Sequence, residues 1–279
     1  MKGRTSYKMF IVLALGYAFL FGPILILIIY SFNASKLVTV WGGFSLKWYG
    51  ELLKDKGILD AFWNSLRIAF CTAGFATALG TIAGYVMARF GRFRGHTTFA
   101  STITAPLVMP EVITGLASLL LFVSMERIIG WPQGRGMLTI WIAHVTFATA
   151  FVAIIVSSRL RDMDLSIEEA ALDLGAPPLK VFFVITLPII APALVSGWLL
   201  AFTLSLDDLV ITSFVAGPGS TTLPMKVFSA ARLGISPKIN AIGTLIVLIA
   251  SFFIVSFSII SFKMEKKRKR EAQQAFENN

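Results

Sequence analysis

The sequence predicts an all-α integral membrane protein with six transmembrane helices. Of its 279 residues, 56% are hydrophobic and only 14% are charged, which is too little charge for a typical soluble domain of this length. The apolar residues are gathered in blocks of about twenty, the helix length that spans a bilayer core. The excess of basic residues, a formal net charge of +10, mainly flanks these blocks.

Six apolar blocks account for the predicted spans. The first block follows a short basic segment and is longer than the apolar part of a signal peptide. No small-residue cleavage site follows it, so we interpret it as an uncleaved span. The six blocks comprise residues 9–30, 62–87, 99–125, 138–160, 191–215 and 239–262.

The distribution of basic residues predicts that both termini face the cytoplasm, because cytoplasmic loops are enriched in lysine and arginine. The residues assigned to that side are Lys2, Arg4, Lys8, Arg89, Arg92, Arg94, Arg159, Arg161, Lys180 and those of 263–270. The basic tail is similar in composition to a nucleic-acid-binding patch. Contact with anionic lipid at the surface of the bilayer explains it better, and no nucleic-acid partner is predicted.

The third and fifth blocks contain acidic residues at membrane depth. Pro106 and Pro110 interrupt the third block, and Glu111 follows directly. Prolines free backbone carbonyls, which are tolerated at this depth only against protein or a water-filled cavity. Asp207 and Asp208 lie in the fifth block. A carboxylate inside a membrane is costly and normally faces a cavity or a partner charge.

We therefore predict that Asp207 or Asp208 faces a translocation path, with Glu111 as a weaker candidate. Successive helix positions point about 100° apart, so one aspartate is expected to face the path and the other a neighbouring subunit. The competing interpretation is that both aspartates serve packing, with hydrogen bonds from Ser205, Thr212 or an arginine of another subunit.

Two segments are predicted to lie on the external side. Residues 31–56 contain aromatic side chains that are typical of a membrane interface and that also suit contact with a partner protein. These are Trp41, Phe44, Trp48 and Tyr49. The other segment follows the fifth block, and its 225–233 portion is expected to form a short helix on or in the membrane.

The segment 166–188 is predicted to be a helical hairpin on the cytoplasmic side. Ser166 with Glu169 three residues later forms a capping-box pattern, which predicts that a helix starts there. Gly175 is placed to end this helix, because glycine adopts the left-handed C′ conformation without strain.

A second helix of the hairpin is expected over residues 179–186, ending near Pro188. Pro177 and Pro178 suit its start, where a missing N–H costs nothing. On these features alone the hairpin is either a docking element or an ordinary connection between spans.

No pattern in the sequence indicates an enzyme, a metal site or a cofactor. The chain has no zinc-ligand spacing, no Walker-type phosphate loop and no nucleophile elbow. Its single cysteine, Cys71, lies inside an apolar block, where an inert buried thiol is expected. His144 in the fourth block is expected to be a hydrogen-bonded core residue.

The hairpin resembles the EAA motif of the membrane subunits of binding-protein-dependent ABC importers of the MetI-like type. The residues that match the order and spacing of the motif are Glu169, Ala170, Ala171, Gly175, Ile185, Leu187 and Pro188. In that family the hairpin is the coupling helix, which sits in a groove of a separate ATPase subunit. The resemblance covers about residues 64–262. It implies that closure of the ATPase would move the fourth and fifth spans.

Within this family the chain is most similar to the spermidine and putrescine permeases. The segments that carry this resemblance are residues 30–53, 104–122, 135–147 and 197–225. It implies an importer of polyamines in the bacterial inner membrane, with putrescine favoured over spermidine. The implied partners are a second, different permease subunit, two ATPase subunits and a periplasmic polyamine-binding protein. Contacts with the binding protein would fall on residues 33–54 and 217–237.

The predicted organisation has three parts: residues 1–60 with the first span and external loop, a permease core over 61–265, and a basic cytoplasmic tail over 266–279. Two alternatives stay open. One is an ABC permease for another small solute, although the acidic residues disfavour an anion. The other is a secondary transporter or channel, which would suit the intramembrane acids but leaves the EAA spacing unexplained.

Overall fold

The structure, a computed structural model, describes residues 7–37, 40–91, 93–233 and 237–249, together with positions 251, 255 and 259. This part of the chain is helical apart from loops and one isolated antiparallel bridge between Asn33 and Phe44. The predicted all-α class is therefore confirmed. Lys2, Arg4, Arg92 and the basic tail lie outside the described residues.

The helices of the described residues are numbered in chain order. They are α1 (Tyr7–Ser31), α2 (Lys47–Lys54), α3 (Lys56–Arg89), α4 (His96–Val108), α5 (Glu111–Ile129), α6 (Met137–Arg161), α7 (Ser166–Asp173), α8 (Pro178–Val181), α9 (Leu187–Asp207), α10 (Val210–Val215), α11 (Leu223–Leu233) and α12 (Pro237–Ile249). A π-helical turn, Phe182–Thr186, joins α8 to α9. The short helix expected over 225–233 corresponds to α11.

Within the described residues, five stretches are long and apolar enough to cross a membrane. They are Met9–Ser31, Lys56–Arg89, Glu111–Ile129, Met137–Arg161 and Pro178–Asp207. Each overlaps one of the first five predicted blocks. The sixth block is described as α12 up to residue 249, and most of the rest of it lies outside the described residues.

Two of the predicted spans are interrupted. The third divides into α4 and α5 at Met109 and Pro110, as Pro110 predicted, whereas Pro106 lies inside α4. The fifth was expected to be one helix over 191–215, and that expectation was wrong because α9 ends at Asp207. Asp208 is extended, with ψ 125°, and its carboxylate accepts the N–H of Thr212 at 2.7 Å. The Asp208 side chain thus caps the start of α10, and its extended backbone ends α9.

The chain divides into two compact units. The first combines Met1–Lys56 with Ser229–Asn279, and the second is Gly57–Phe228. The first unit contains α1, α2 and α12, and the second contains nearly all of α3 and the helices from α4 to α10.

In the first unit, the aromatic segment after α1 is a folded loop. The indole N–H of Trp48 donates to the backbone carbonyl of Asn33 at 2.6 Å, and the Asn33 side chain accepts the N–H of Gly42 at 2.8 Å. Trp48 is buried, whereas Trp41 and Phe44 are exposed. These two rings are therefore available to the membrane interface or to a partner.

In the second unit, α6 is the central helix. It packs against α9, α4 and α10. The buried side chains that join α3, α6 and α9 are Ala73, Ala76, Ala148, Val152, Val156, Leu160, Ile190 and Ala201. Four of these eight are alanines, so the core depends on close approach of the helices. Small residues at interfaces are typical of helix packing in membranes, where lipid removes the hydrophobic drive for association.

The closest approach between α3 and α6 is made by two glycines one turn apart. A Cβ on Gly80 would lie 2.6 Å from the Cβ of Val152, and one on Gly84 would lie 2.7 Å from the carbonyl oxygen of Ala153. Neither position has room for a methyl group. The two helices therefore meet backbone to backbone along this seam.

Replacing Gly80 by alanine is expected to lower the free energy of unfolding by about 1–3 kcal/mol, because the added methyl overpacks the seam. Gly74 on the same helix is exposed, and a Cβ there meets nothing within 4 Å. Gly74→Ala should therefore stabilise by up to ~1 kcal/mol through helix propensity. Thermal unfolding of both variants in detergent measures the difference. Equal shifts would contradict the close seam.

The single cysteine differs from its prediction. Cys71 is exposed on α3, so the expectation of a buried thiol was wrong. The buried face of this helix passes through Ala69, Thr72, Ala73 and Ala76. Cys71 lies on the other side, which in a transmembrane helix faces lipid or another subunit.

Candidate functional site

The bend of the predicted hairpin has the expected geometry. α7 ends in a Schellman motif, in which the N–H of Gly175 donates to the carbonyl of Leu172 at 2.8 Å and the next N–H donates to that of Ala171 at 3.1 Å. Gly175 has a φ of +85°, the left-handed conformation. Pro177 is extended and Pro178 lies in the first turn of α8, so the second arm begins at the prolines.

The start of α7 differs from the prediction. No side-chain hydrogen bond caps the helix, and the carboxylate of Asp164 accepts the N–H of Ser166 at 3.0 Å instead. This hydrogen bond lowers the pKa of the exposed Asp164 carboxyl. The capping box of Ser166 and Glu169 was therefore a wrong prediction, because the aspartate two residues earlier forms a local turn with the same N–H. The side chain of Glu169 is exposed and has no capping role.

The second arm does not end near Pro188, so that expectation was wrong too. α8 continues through the π-helical turn into α9, and Pro188 lies in the first turn of α9. In a regular α-helix the ring of Pro188 would clash with the carbonyl four residues earlier, and a wide turn directly precedes it. The second arm of the hairpin and the fifth span are thus one continuous helical segment, Pro178–Asp207.

The motif residues lie on both arms of the hairpin. Those that are exposed are Glu169, Ala170, Gly175 and Pro188, and those that are half-buried are Ala171, Ile185 and Leu187. Large apolar side chains are exposed beside them. Leu174 is 89% exposed and Leu179 is 73% exposed. An exposed apolar patch of this kind indicates contact with another protein or with lipid.

Glu168 was not singled out from the sequence, yet it is the buried acid of the hairpin. Its side chain is 9% exposed and lies 2.9 Å from the Arg89 guanidinium at the end of α3. The hydroxyl of Thr186 donates to its other oxygen at 2.6 Å. The neighbouring Glu169 faces outward. The sequence gives only a weak signal for this contact. Glu168 and Glu169 are adjacent, and neighbouring helix positions point in different directions, so only one of the two side chains can lie on the buried face.

The two interrupted spans adjoin each other. α5 packs against α10, and a Cβ on Gly115 of α5 would lie 2.6 Å from the ring of Phe214 on α10. Glu111 is the first residue of α5 and is exposed. A carboxylate at this end of a helix is stabilised by the helix dipole.

Asp208 is the buried member of the aspartate pair. Its carboxylate lies 3.1 Å from Nε2 of His144, and it accepts the hydroxyl of Thr212 at 2.7 Å. Nδ1 of His144 lies 2.7 Å from the hydroxyl of Ser205. His144 is 2% exposed, so the expectation of a hydrogen-bonded core histidine is confirmed. These contacts tie α6 to both sides of the break between α9 and α10.

Asp207 is in different surroundings from Asp208. It is the last residue of α9 and its side chain is exposed. The C-terminus of a helix carries a partial negative charge from its free carbonyls. The Asp207 carboxylate and these carbonyls together give the end of α9 a negative electrostatic potential, which suits a cation.

Within the described ranges, no group of three or more histidine, cysteine or acidic side chains is placed to hold a metal ion.

Residues 76–270 match the family described as the binding-protein-dependent transport system inner membrane component. The putrescine transport system permease protein PotI of Escherichia coli K12 is 63% identical over 274 residues, which cover 98% of this chain and 96% of that protein. The spermidine/putrescine transport system permease protein PotC of the same strain is 36% identical, over 88% of this chain and 90% of that protein.

Solved structures share the fold at much lower sequence identity. A bacterial ABC transporter involved in the import of the acidic polysaccharide alginate is 19% identical, with a TM-score of 0.63, over 94% of this chain and 98% of its own. The MetNI methionine ABC transporter is 17% identical, with a TM-score of 0.59, over 72% and 92%. The described helices are thus arranged as in ABC transporter membrane subunits, and the chain is a multi-pass membrane protein that belongs to the binding-protein-dependent transport system inner membrane component family.

Proposed function

We propose that this chain is one of two permease subunits of an ATP-driven importer of polyamines in the bacterial inner membrane. Putrescine is the first expected substrate and spermidine the second. The names of the two relatives support the substrate class. The chain forms half of the path and has no nucleotide site of its own. Two copies of a separate ATPase subunit supply the energy.

The proposed membrane topology has six spans with both termini in the cytoplasm. The sixth proposed span is the apolar block 239–262, whose first part lies in α12, and the flanking basic residues favour this orientation. The permease core covers 61–265, between a first span with its loop (1–60) and a basic tail (266–279). The other partners are a second, different permease subunit and a periplasmic polyamine-binding protein. The external segments 33–54 and 217–237 are the proposed contacts of the binding protein.

The observation that carries the coupling proposal is the exposed hairpin. Leu174 at its tip is 89% exposed. In the proposed topology the tip lies on the cytoplasmic side, where no lipid tail would cover it. A leucine so exposed beside a rigid Schellman turn fits a protein groove. The proposed ATPase contacts are the motif residues Glu169, Ala170, Ala171, Gly175, Ile185, Leu187 and Pro188.

The proposed substrate contact in the path is Asp207, with Glu111 as a second contribution. Both side chains are exposed within the single subunit, whereas Oδ2 of Asp208 contacts His144 and Thr212 and its Oδ1 accepts the N–H of Ile211. Asp208 therefore acts in the path by holding the end of α9 in position. A protonated amine of a polyamine would meet both the Asp207 carboxylate and the free carbonyls of the helix end.

Reconstitution tests the function as a whole. The chain is co-expressed with its proposed second permease and ATPase subunits, placed in liposomes, and supplied with the binding protein. We expect uptake of labelled putrescine that requires internal ATP. Uptake that persists without the ATPase subunits would indicate a secondary transporter. Uptake of a different solute in place of putrescine would overturn the substrate.

A further inference from the structure

A buried polar contact joins the hairpin to two other helical elements of the second unit. Arg89 ends α3, Glu168 lies in the first turn of α7, and Thr186 ends the π-helical turn before α9. Glu168 bridges them, with one oxygen 2.9 Å from Arg89 and the other 2.6 Å from the Thr186 hydroxyl. Thr186 is fully buried, and the side chains of Arg89 and Glu168 are 8% and 9% exposed.

Stability alone accounts poorly for this contact. Taking two charges out of water costs several kcal/mol for each ion, and a buried pair often contributes no more than apolar residues of the same volume. The Arg89 pair is also incompletely satisfied. Nε and Nη2 of Arg89 are buried and make no hydrogen bond of good geometry with the described residues. The contact of Nε with Glu168 is therefore an ion pair without a well-directed hydrogen bond. A contact of this kind gives positional specificity more readily than stability.

We propose that Arg89, Glu168 and Thr186 form a clamp that transmits movement of the hairpin to α3 and α9. This inference rests on the proposed coupling role of the hairpin. Glu168 and Glu169 have different roles. Glu169 faces outward, where the ATPase would lie, and Glu168 faces inward to the clamp. α7 cannot move without carrying Arg89 and Thr186 with it or leaving a charge buried without its partner.

The surroundings of the clamp favour transmission rather than local adjustment. Tyr85 of α3 packs edge-to-face on Phe182 of the π-helical turn, with ring centroids 5.2 Å apart. α3 itself meets α6 at the close seam of Gly80 and Gly84, which has no room for an added methyl group. A displacement of Arg89 therefore passes into a tightly packed pair of helices. Thr186 fixes the wide turn where the second arm would otherwise bend most easily.

The test compares purified, reconstituted complexes that carry Glu168→Gln, Arg89→Gln or both changes. Asp173→Asn is the matched control, because Asp173 is an exposed acid on the same helix. Three quantities are measured: ATPase subunits retained per permease, basal ATP hydrolysis, and its stimulation by the putrescine-loaded binding protein. Stimulation of ATP hydrolysis reports transmission through the clamp. If the contact had only a structural role, a variant that keeps assembly and basal hydrolysis would also keep its stimulation.

We expect each single variant to assemble, to keep basal hydrolysis within about twofold, and to lose stimulation at least about fivefold. The double variant should lose no more than the worse single variant, because the two charges act as one unit. It also leaves no unpaired buried charge, so it decides the test if a single variant misfolds.

Three outcomes would overturn the clamp. They are stimulation in the double variant within about twofold of the wild type, an equal loss in Asp173→Asn, and a double variant that no longer retains the ATPase subunits. In the last case the contact would be structural only. A wild-type complex that putrescine-loaded binding protein fails to stimulate would instead refute the proposed function itself, so the two failures are distinguishable.

Discussion

Asp207→Asn should lower putrescine uptake about five- to thirtyfold while the complex still assembles. The change is isosteric and removes one negative charge from the exposed end of α9. A partly solvated charge pair with a protonated amine is worth about 1–2 kcal/mol, which corresponds to that change in rate. Uptake into liposomes at saturating binding protein is the measurement.

Two further variants control this prediction. Asp207→Glu keeps the charge and should retain most of the uptake. Thr203→Val changes an exposed polar side chain one turn earlier on the same helix and should have little effect. Unchanged uptake in Asp207→Asn would remove Asp207 from the path. An equal loss in Asp207→Glu would show that the site measures side-chain length rather than charge.

Gly175→Val should weaken both assembly with the ATPase and ATP-dependent uptake, by about five- to thirtyfold. Gly175 has a φ of +85°, and a β-branched residue there costs ~1–2 kcal/mol relative to glycine. A Cβ at this position meets nothing within 4 Å. The effect therefore isolates the conformation of the bend from any steric clash. Co-purification of the ATPase subunits and uptake are both measured.

Asparagine is the matched control for the bend, because it tolerates the left-handed conformation and often ends helices in this way. Gly175→Asn should keep most of the assembly and uptake. If valine and asparagine behave alike, the backbone conformation of the bend is irrelevant to coupling. If valine leaves both quantities at the wild-type level, the hairpin is not the docking element.

The features that could be predicted from the sequence depend on local conformation. Gly175 ends α7 and Pro178 begins α8 because each residue is suited to one backbone state, whatever surrounds it. The break at Pro110 follows from the same rule. The apolar blocks gave the positions of the first five spans because hydrophobic length is a property of the chain itself.

The features that could not be predicted depend on partners distant in sequence. Asp208 ends α9 because His144, 64 residues earlier, and Thr212 hold its carboxylate outside the helix. Glu168 is buried because Arg89 and Thr186 converge on it from two other elements. Nothing local separates Asp207 from Asp208, or Glu168 from Glu169. Cys71 was misplaced for the same reason, since an apolar block does not show which of its faces is covered.

The unbroken path from the hairpin through the π-helical turn makes Pro178–Asp207 a single rod of 30 residues. At 1.5 Å per residue it is about 45 Å long. For a rigid rod of this length, a tilt of about 5° displaces one end by about 4 Å relative to the other. Under the proposed coupling role, the rod would act as a lever that pivots where α9 packs on α6. Its most easily bent point would be the second proline, Pro192, because Thr186 holds the wide turn before Pro188. The stiffness of the helix at Pro192 would then set how much of a movement at the hairpin reaches Asp207.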